Sequence, residues 1–578
     1  MEESVDKYWL KSYPADVPAT IDPTEYSSLK ELTEKSCAKY ADRDAYVMMD
    51  RAMSYGELDR DSAAFAAWLQ HEAHALPGTR IALMMPNVLQ FPVALFGAIR
   101  AGLTVVNVNP LYTSHELEHQ VNDAGAEIIV VLENFAQVVE HALPNTRLKT
   151  VIVTSVGGML GTLKGALVDF VVRRIHRKVP HWSIPGALRF EKLVAQGRGL
   201  SLRPVQVGPE DIAFLQYTGG TTGVSKGAVL THRNMVANVL QGRAWFGSKM
   251  PERATYVIAL PLYHIFSLTA NALMFMLLGA RGILITDPRD FKGFVATLAK
   301  YPPNLFMGVN TLFNALLHTP GFEKLDHSQL FGTVGGGMAV QAAVAEKWQA
   351  ATGCVLSQGW GLTETSPIAT MNPIGAGKFN GSIGLPVSST EISIRNDAGD
   401  ALPVGSIGEI CVRGPQVMRE YWNRPEETAQ VMLPDGWLRT GDIGRMDEAG
   451  YVYIEDRKKD MILVSGFNVY PNEVEGVAVT HPGVLEAAAV AKPDERAGEV
   501  VALFVVRKDP SLTEAALIAH MRESLTGYKV PKYVYFRDSL PKSNVGKIIR
   551  RQLRDELQSS RTAFDTCCRL RSAFSSKA

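Results

Sequence analysis

The stretch "YTGGTTGVSKGAVLTH" (217–232) decides how this chain is read. It follows an apolar run, "IAFLQ", and crowds glycines, hydroxyls and one lysine into a short span. It is not the P-loop G-x-x-x-x-G-K-[ST]. Counting from Gly220, the second glycine falls on Ser225, and Lys226 is followed by Gly227. Its residues nevertheless suit an anion. Gly219, Gly220 and Gly223 permit tight turns that aim backbone N–H groups at a phosphate. Thr218, Thr221 and Thr222 add hydroxyl donors, and Lys226 adds charge. The competing reading is a flexible Thr-rich surface turn, which the density of Gly and Thr before a lysine disfavours.

The chain around this loop alternates short β-rich runs with helical patterns from about Arg80 to Trp360. The runs are "RIALMM", "TVVNV", "EIIVVL", "TVIVT", "IAFLQY", "TYVIAL", "GILIT" and "CVLSQ". That order predicts parallel α/β architecture, with sites at the carboxyl ends of strands. From about 375 to 455 short strands and turns predict a β-rich subdomain. "EDRKKD" (455–460) is expected to be an exposed, polar domain boundary. Beyond it, strands "MILVSG", "EAAAVAK", "VVALFVVRK" and "KYVYF" and a helix from about Thr513 predict a small α+β domain. The expected division is therefore 1–455, a hinge at 456–460, a small domain at 461–557 and a disordered tail at 558–578.

Composition narrows the class. The chain has 578 residues, 46% hydrophobic and 20% charged, as soluble globular proteins do. Lys+Arg and Asp+Glu both total 59, so net charge offers no argument for nucleic acid. The five cysteines, Cys37, Cys354, Cys411, Cys567 and Cys568, lack metal spacing and suit a reducing compartment. "MEESVDKYWL" lacks the apolar core of a secretory signal, and the apolar stretch 267–279 is too short to span a bilayer. A cytoplasmic protein is expected. One insertion, 157–182, places Leu160, Leu163, Leu167, Phe170 and Val171 on one helical face, followed by Arg173, Arg174, Arg177 and Lys178. Two readings stay open: a basic amphipathic helix lying peripherally on the inner face of the membrane, or a helix packed on its own domain.

The loop's residue order resembles the signature of the ANL superfamily of adenylate-forming enzymes, and further motifs follow in that family's order. "GGG", Gly335, Gly336 and Gly337, resembles the segment beside the adenine. "QGWGLTET" (358–365) resembles the aromatic-Gly-x-Thr-Glu motif. There the resemblance implies that Trp360 and Gly361 line the adenine pocket, Thr363 reaches phosphate and Glu364 holds Mg²⁺. Many relatives carry Tyr where Trp360 stands, so a hydrogen bond from that hydroxyl is lost here. In "GWLRTGDIG" (436–444) Asp442 is implied to bind the ribose, since a carboxylate can accept from both hydroxyls of a diol. In "EDRKKD" Arg457 is implied to contact ribose and phosphate, and Lys459 to be the hinge. "PKSNVGK" (541–547) ends on the implied catalytic Lys547. The resemblance extends from about Ser27 to Leu557.

The family's chemistry is implied with it: ATP and a carboxylate give an acyl-adenylate and pyrophosphate, and CoA then takes the acyl group. Lys547 and Thr218 would serve the first step, with Tyr217 and the glycines around the nucleotide. The loop "SGFNVYPNEVE" (465–475), through Gly466, would shape the thiol tunnel. Residues 259–280 and 304–317 would flank the acyl site, with His264 near the acyl carbonyl. Neither stretch holds an acidic residue to bind an amino group. The chain is most similar in its motifs to the bacterial long-chain fatty acyl-CoA synthetases, which implies a fatty acid as partner. Medium-chain or aryl acid CoA ligases, a fatty acyl-AMP ligase and a lipid-sensing protein on the same scaffold are the alternatives. Monomer and homodimer both stay open.

Overall fold

The apolar runs overlap strands of two large sheets in a computed structural model. The structure describes residues 7–218, 225–246, 249–375, 377–465, 467–494, 496–543 and 546–557. Gly219, Gly220, Thr221, Thr222, Gly223, Gly466 and the tail at 558–578 lie outside the described residues.

A seven-stranded sheet runs, in spatial order, Leu188–Arg189, Thr150–Thr154, Ile128–Leu132, Arg80–Met84, Thr104–Asn107, Ile212–Tyr217 and Gly227–Thr231. Neighbours are parallel up to the last pair. "IIVVL" is buried at every position, as a β-branched central strand covered on both faces should be. A nine-stranded sheet carries Thr255–Ile258, Leu305–Gly308, Gly332–Gly335 and Leu356–Gly361 in parallel through its middle. The architecture is therefore α/β, as expected.

The loop sits differently from a strand-to-helix turn. Ile212–Tyr217 and Gly227–Thr231 pair antiparallel, with Tyr217 opposite Gly227. The two strands that flank the loop thus pair as a hairpin at the sheet edge, and the helix His232–Phe246 begins only after the second strand.

The β-rich region is a four-stranded antiparallel sheet: Glu391–Arg395, Gly408–Arg413, Leu438–Met446 and Val452–Arg457. The next sheet starts at Ile462–Val464 and includes Gly498–Arg507 and Tyr533–Arg537. The helix Glu514–Arg522 packs with it and is capped by Thr513, whose Oγ1 accepts from Ala516 N at 3.3 Å.

The linker between these sheets is less exposed than its charge suggests. Lys458 and Lys459 face solvent, but Asp456 and Asp460 are buried. Arg550, in the helical residues 550–557, lies 3.9 Å from Asp456, 3.6 Å from Asp460 and 2.8 Å from Glu475. Arg554 holds Asp460 at 2.9 Å. Burial pushes the Asp456 carboxyl up to about 6, against the pull of Arg550.

The insertion forms the helix Thr162–Phe170 and a further turn, Val171–Ile175. Leu160 is buried, yet Leu163 is 88% exposed, and Leu167, Phe170 and Ile175 also stand in solvent. The face turned inward carries Gly165 and Asp169 instead. A Cβ on Gly165 would lie 2.4 Å from the Gly157 carbonyl, and Asp169 accepts from Ser155 Oγ and Gly157 N. Arg173 makes a bidentate pair with buried Glu133, 2.8 Å on each arm, so it is not a free surface cation. No described helix is long and apolar enough to cross a membrane. Cys37, Cys354 and Cys411 are buried free thiols.

Candidate active site

The loop is clamped at its base. Thr218 N donates to the Lys226 carbonyl at 2.9 Å, and Ser225 Oγ donates to the Thr218 carbonyl at 2.6 Å. The free edge of Gly227–Thr231 takes up residues 419–422: Val229 N donates to Glu420 O, Arg419 N to Val229 O and Trp422 N to Gly227 O. This added pairing brings Tyr421 to the loop. Lys226 Nζ lies 5.2 Å from the Tyr421 ring centre, and the Tyr421 hydroxyl donates to Glu364 Oε1 at 2.5 Å. Burial, then Glu364, raises the Tyr421 pKa, so the phenol keeps its proton and its role as donor. Glu364 also faces a cavity of about 260 Å³ shared with Tyr421, Arg439, Gly441 and Lys458. Thr363 is half-buried in the same short turn, Thr363–Thr365.

Tyr217 belongs to the framework. Its buried hydroxyl donates to Asp123 Oδ2 at 2.6 Å, and Asp123 is itself held by Arg424 at 2.8 Å. The ring lies against Gly227, where a Cβ would stand 3.1 Å away. Tyr217 therefore fixes the hairpin through its hydroxyl and its ring.

The glycines of the second motif are required by packing. A Cβ on Gly335 would meet Val340 at 2.4 Å, and one on Gly336 would meet the Phe266 ring at 3.0 Å. Gly337 has φ +74°, which favours glycine. Gly361 is tighter still, its Cβ position lying 1.6 Å from the Pro367 carbonyl. Beside it, Trp360 Nε1 donates to Asp442 Oδ2 at 2.9 Å. Arg457 Nε lies 3.3 Å from Asp442 Oδ1, and the two residues are opposite each other across the strand pair. Asp442 is only 4% exposed.

Lys547 comes to this place from the small domain. The turn that carries it is held by Ser543, whose N donates to the Lys547 carbonyl at 2.7 Å and whose Oγ accepts from Lys547 N at 3.1 Å. Gly546, φ +78°, accepts from Thr311 Oγ1 at 3.3 Å, which docks the turn on the large domain. Burial first, then the Arg457 guanidinium, draws the Lys547 ammonium down to about 7, against Asp442. Lys459, although exposed as a residue, is lowered as well, by partial desolvation beside the site first and then by Arg457. His264 is in the same field. Burial, then Lys547, lowers it to about 4, so it is neutral. Its Nδ1 accepts from Phe266 N at 3.3 Å, which places the ring proton on Nε2. Around it, most of residues 259–280 are core.

The donor set fits Mg²⁺ and not a metal caged by protein alone. The described residues hold no group of three or more His, Cys, Asp or Glu positioned for a metal. Glu364 offers one carboxylate, with Oε1 oriented by Tyr421. Magnesium in nucleotide sites commonly takes one or two carboxylates plus substrate phosphates.

Tyr421, Thr311 and Arg550 escaped the sequence reading. "MREYWN" (418–423) has no motif spacing, and Tyr421 meets Glu364 only because its segment joins the hairpin edge.

Residues 33–422 match the family described as AMP-binding enzyme, and residues 473–547 match the AMP-binding enzyme C-terminal domain. The chain is 55% identical to a long-chain-fatty-acid–CoA ligase of Escherichia coli O6:H1 over 551 residues, covering 95% of this chain and 98% of that one. It is 55% identical to the ligase of that name from Yersinia pestis over 553 residues, 96% and 98% of the two chains. A solved structure of the anthranilate CoA ligase AuaEII in complex with anthranoyl-AMP superposes with TM-score 0.82 at 25% identity, covering 93% of this chain and 99% of that one.

Proposed function

The chain belongs to the AMP-binding enzymes, and from that premise we propose that it is a long-chain-fatty-acid–CoA ligase. It joins a fatty acid to the α-phosphate of ATP, expelling pyrophosphate. The CoA thiol then attacks the acyl carbon, and AMP leaves with the bonding pair. The observation that carries this reading is Lys547, brought from the small domain into the field of Asp442, Arg457 and His264. The high identity to ligases of that name supports the long-chain acid.

The first step brings two anions together, so alignment and charge neutralisation dominate. Lys226 and Lys547 supply positive charge from opposite domains. Asp442 accepts from the ribose hydroxyls, and Arg457 steadies that carboxylate. Neutral His264 keeps a donor proton on Nε2 for the acyl carboxylate. Glu364 is the ligand for Mg²⁺, which when bound neutralises phosphate charge. The docked Lys547 corresponds to the adenylating arrangement. Thioester formation requires the small domain to turn about Lys459 and present the 465–475 loop in its place.

Kinetics of pyrophosphate release across saturated acids of increasing length, with benzoate and coumarate, test the assignment. Palmitate or oleate should lead; an aryl acid outrunning them would refute it.

Peripheral membrane contact is part of this reading. Leu163, Leu167, Phe170 and Ile175 form an exposed apolar stripe beside exposed Arg174, Arg177 and Lys178. Anionic liposomes should float the wild type, and Leu163→Ser with Phe170→Ser should abolish flotation. Unchanged flotation would refute the contact.

A further inference from the structure

Trp360 stands where an aromatic face is expected, but its edge is engaged as well. The strand Leu356–Gly361 has a register shift between Trp360 and Gly361. Gly361 is pressed against the Pro367 carbonyl, where a side chain cannot fit. The backbone beside Trp360 is therefore tightly confined. From it the indole crosses to a different sheet and donates Nε1–H to Asp442 Oδ2 at 2.9 Å. Arg457 occupies the other oxygen from its own strand at 3.3 Å. The carboxylate is thus held from two sides in a site almost closed to solvent. A carboxylate has about four lone-pair sites; the indole N–H uses one on Oδ2, while Arg457 stands beside Oδ1 as an ion partner. At least one acceptor direction remains on each oxygen, the number a vicinal diol needs.

We propose that Trp360 is a positioning residue for ribose recognition: its indole N–H fixes the rotation of the Asp442 carboxylate so that both oxygens present a free acceptor to the 2′- and 3′-hydroxyls of ATP. This rests on the reading of Asp442 as the ribose-binding residue. The aromatic face and the N–H are separable functions of one side chain. Phenylalanine keeps a face and loses the donor. Histidine loses the benzo ring, but its Nε2 is two bonds from Cγ, as Trp Nε1 is, so it can return the N–H to the same place.

The test is discrimination between ATP and 2′-deoxy-ATP, read as the ratio of their kcat/KM values in adenylation, with thermal unfolding checking each variant. Trp360→Phe should lower the ratio roughly tenfold, the scale of one hydrogen bond to a charged group. Trp360→His should restore most of it despite its smaller face. Asp442→Asn should lose the discrimination outright. Equal losses for both nucleotides in Trp360→Phe would overturn the proposal and leave Trp360 a stacking surface. So would a Trp360→His ratio no better than that of Trp360→Phe. If Asp442→Asn discriminates as the wild type does, the ribose reading of Asp442 fails and the proposal with it. Should Trp360→Phe not fold, Trp360→His decides alone: a near-wild-type ratio supports the N–H, and a reduced ratio overturns it.

Discussion

Lys547 should impose a descending pH limb on ATP capture. Burial and Arg457 lower its pKa to about 7, so the side chain is charged below that pH and neutral above it. Adenylation needs the charge, so kcat/KM for ATP should fall as pH rises. With a pKa of about 7, the charged fraction is roughly 0.9 at pH 6 and roughly 0.1 at pH 8, a fall of about tenfold. His264 does not contribute, since its value of about 4 leaves it neutral across this range. Lys547→Arg keeps a cation that does not titrate, so whatever activity it retains should lack this limb. Titration of ATP itself would persist in that variant and is thereby subtracted. The assay is pyrophosphate release at subsaturating ATP from pH 6 to 9, beside thioester formation from supplied acyl-AMP. Only the first should carry the limb, and Lys547→Ala should depress the first far more than the second. A wild-type profile flat through pH 9, or the same limb in Lys547→Arg, would refute the reasoning.

Gly546→Ala should separate the half-reactions in the same sense. A Cβ there would lie 2.6 Å from Thr311 Oγ1 on a backbone of φ +78°, so the turn cannot dock as it does. Adenylation should drop about 10²-fold, the usual result of misplacing a reacting group by an ångström, while thioester formation from acyl-AMP changes little. Glu364→Ala should abolish Mg-ATP-dependent activity. Tyr421→Phe, which removes only the hydroxyl on Glu364 Oε1, should weaken Mg²⁺ affinity roughly 10-fold in a magnesium titration. Arg550→Ala should destabilise the small domain by about 3–5 kcal/mol in urea unfolding, because Glu475 and Asp456 are left without their buried cation, while Asp460 keeps Arg554.

Much of the scaffold was legible in local pattern. The eight β-rich runs overlap strands because parallel strands covered on both faces need unbroken apolar, β-branched sequence. Thr513 marks a helix start because a hydroxyl can cap an N-terminal amide. The insertion shows where such pattern stops. Its apolar face was readable, but Leu163 and Leu167 are exposed because Gly165 and Asp169 make the inward contacts. Arg173 looked like a surface cation and is committed to Glu133, forty residues away in sequence.

What the sequence alone determined, then, is the order of elements, their apolar faces and the motifs that identify the chemistry. These are local properties, since periodicity records which side of an element avoids water. Tertiary structure decided what each side meets. It paired the strands flanking the glycine-threonine loop antiparallel at a sheet edge, brought Tyr421 to Glu364 across 57 residues and set Trp360 on Asp442 across 82. It also carried Lys547 into the site from another domain. Those contacts depend on sheet order, hairpin pairing and domain docking, and no spacing along the chain encodes them.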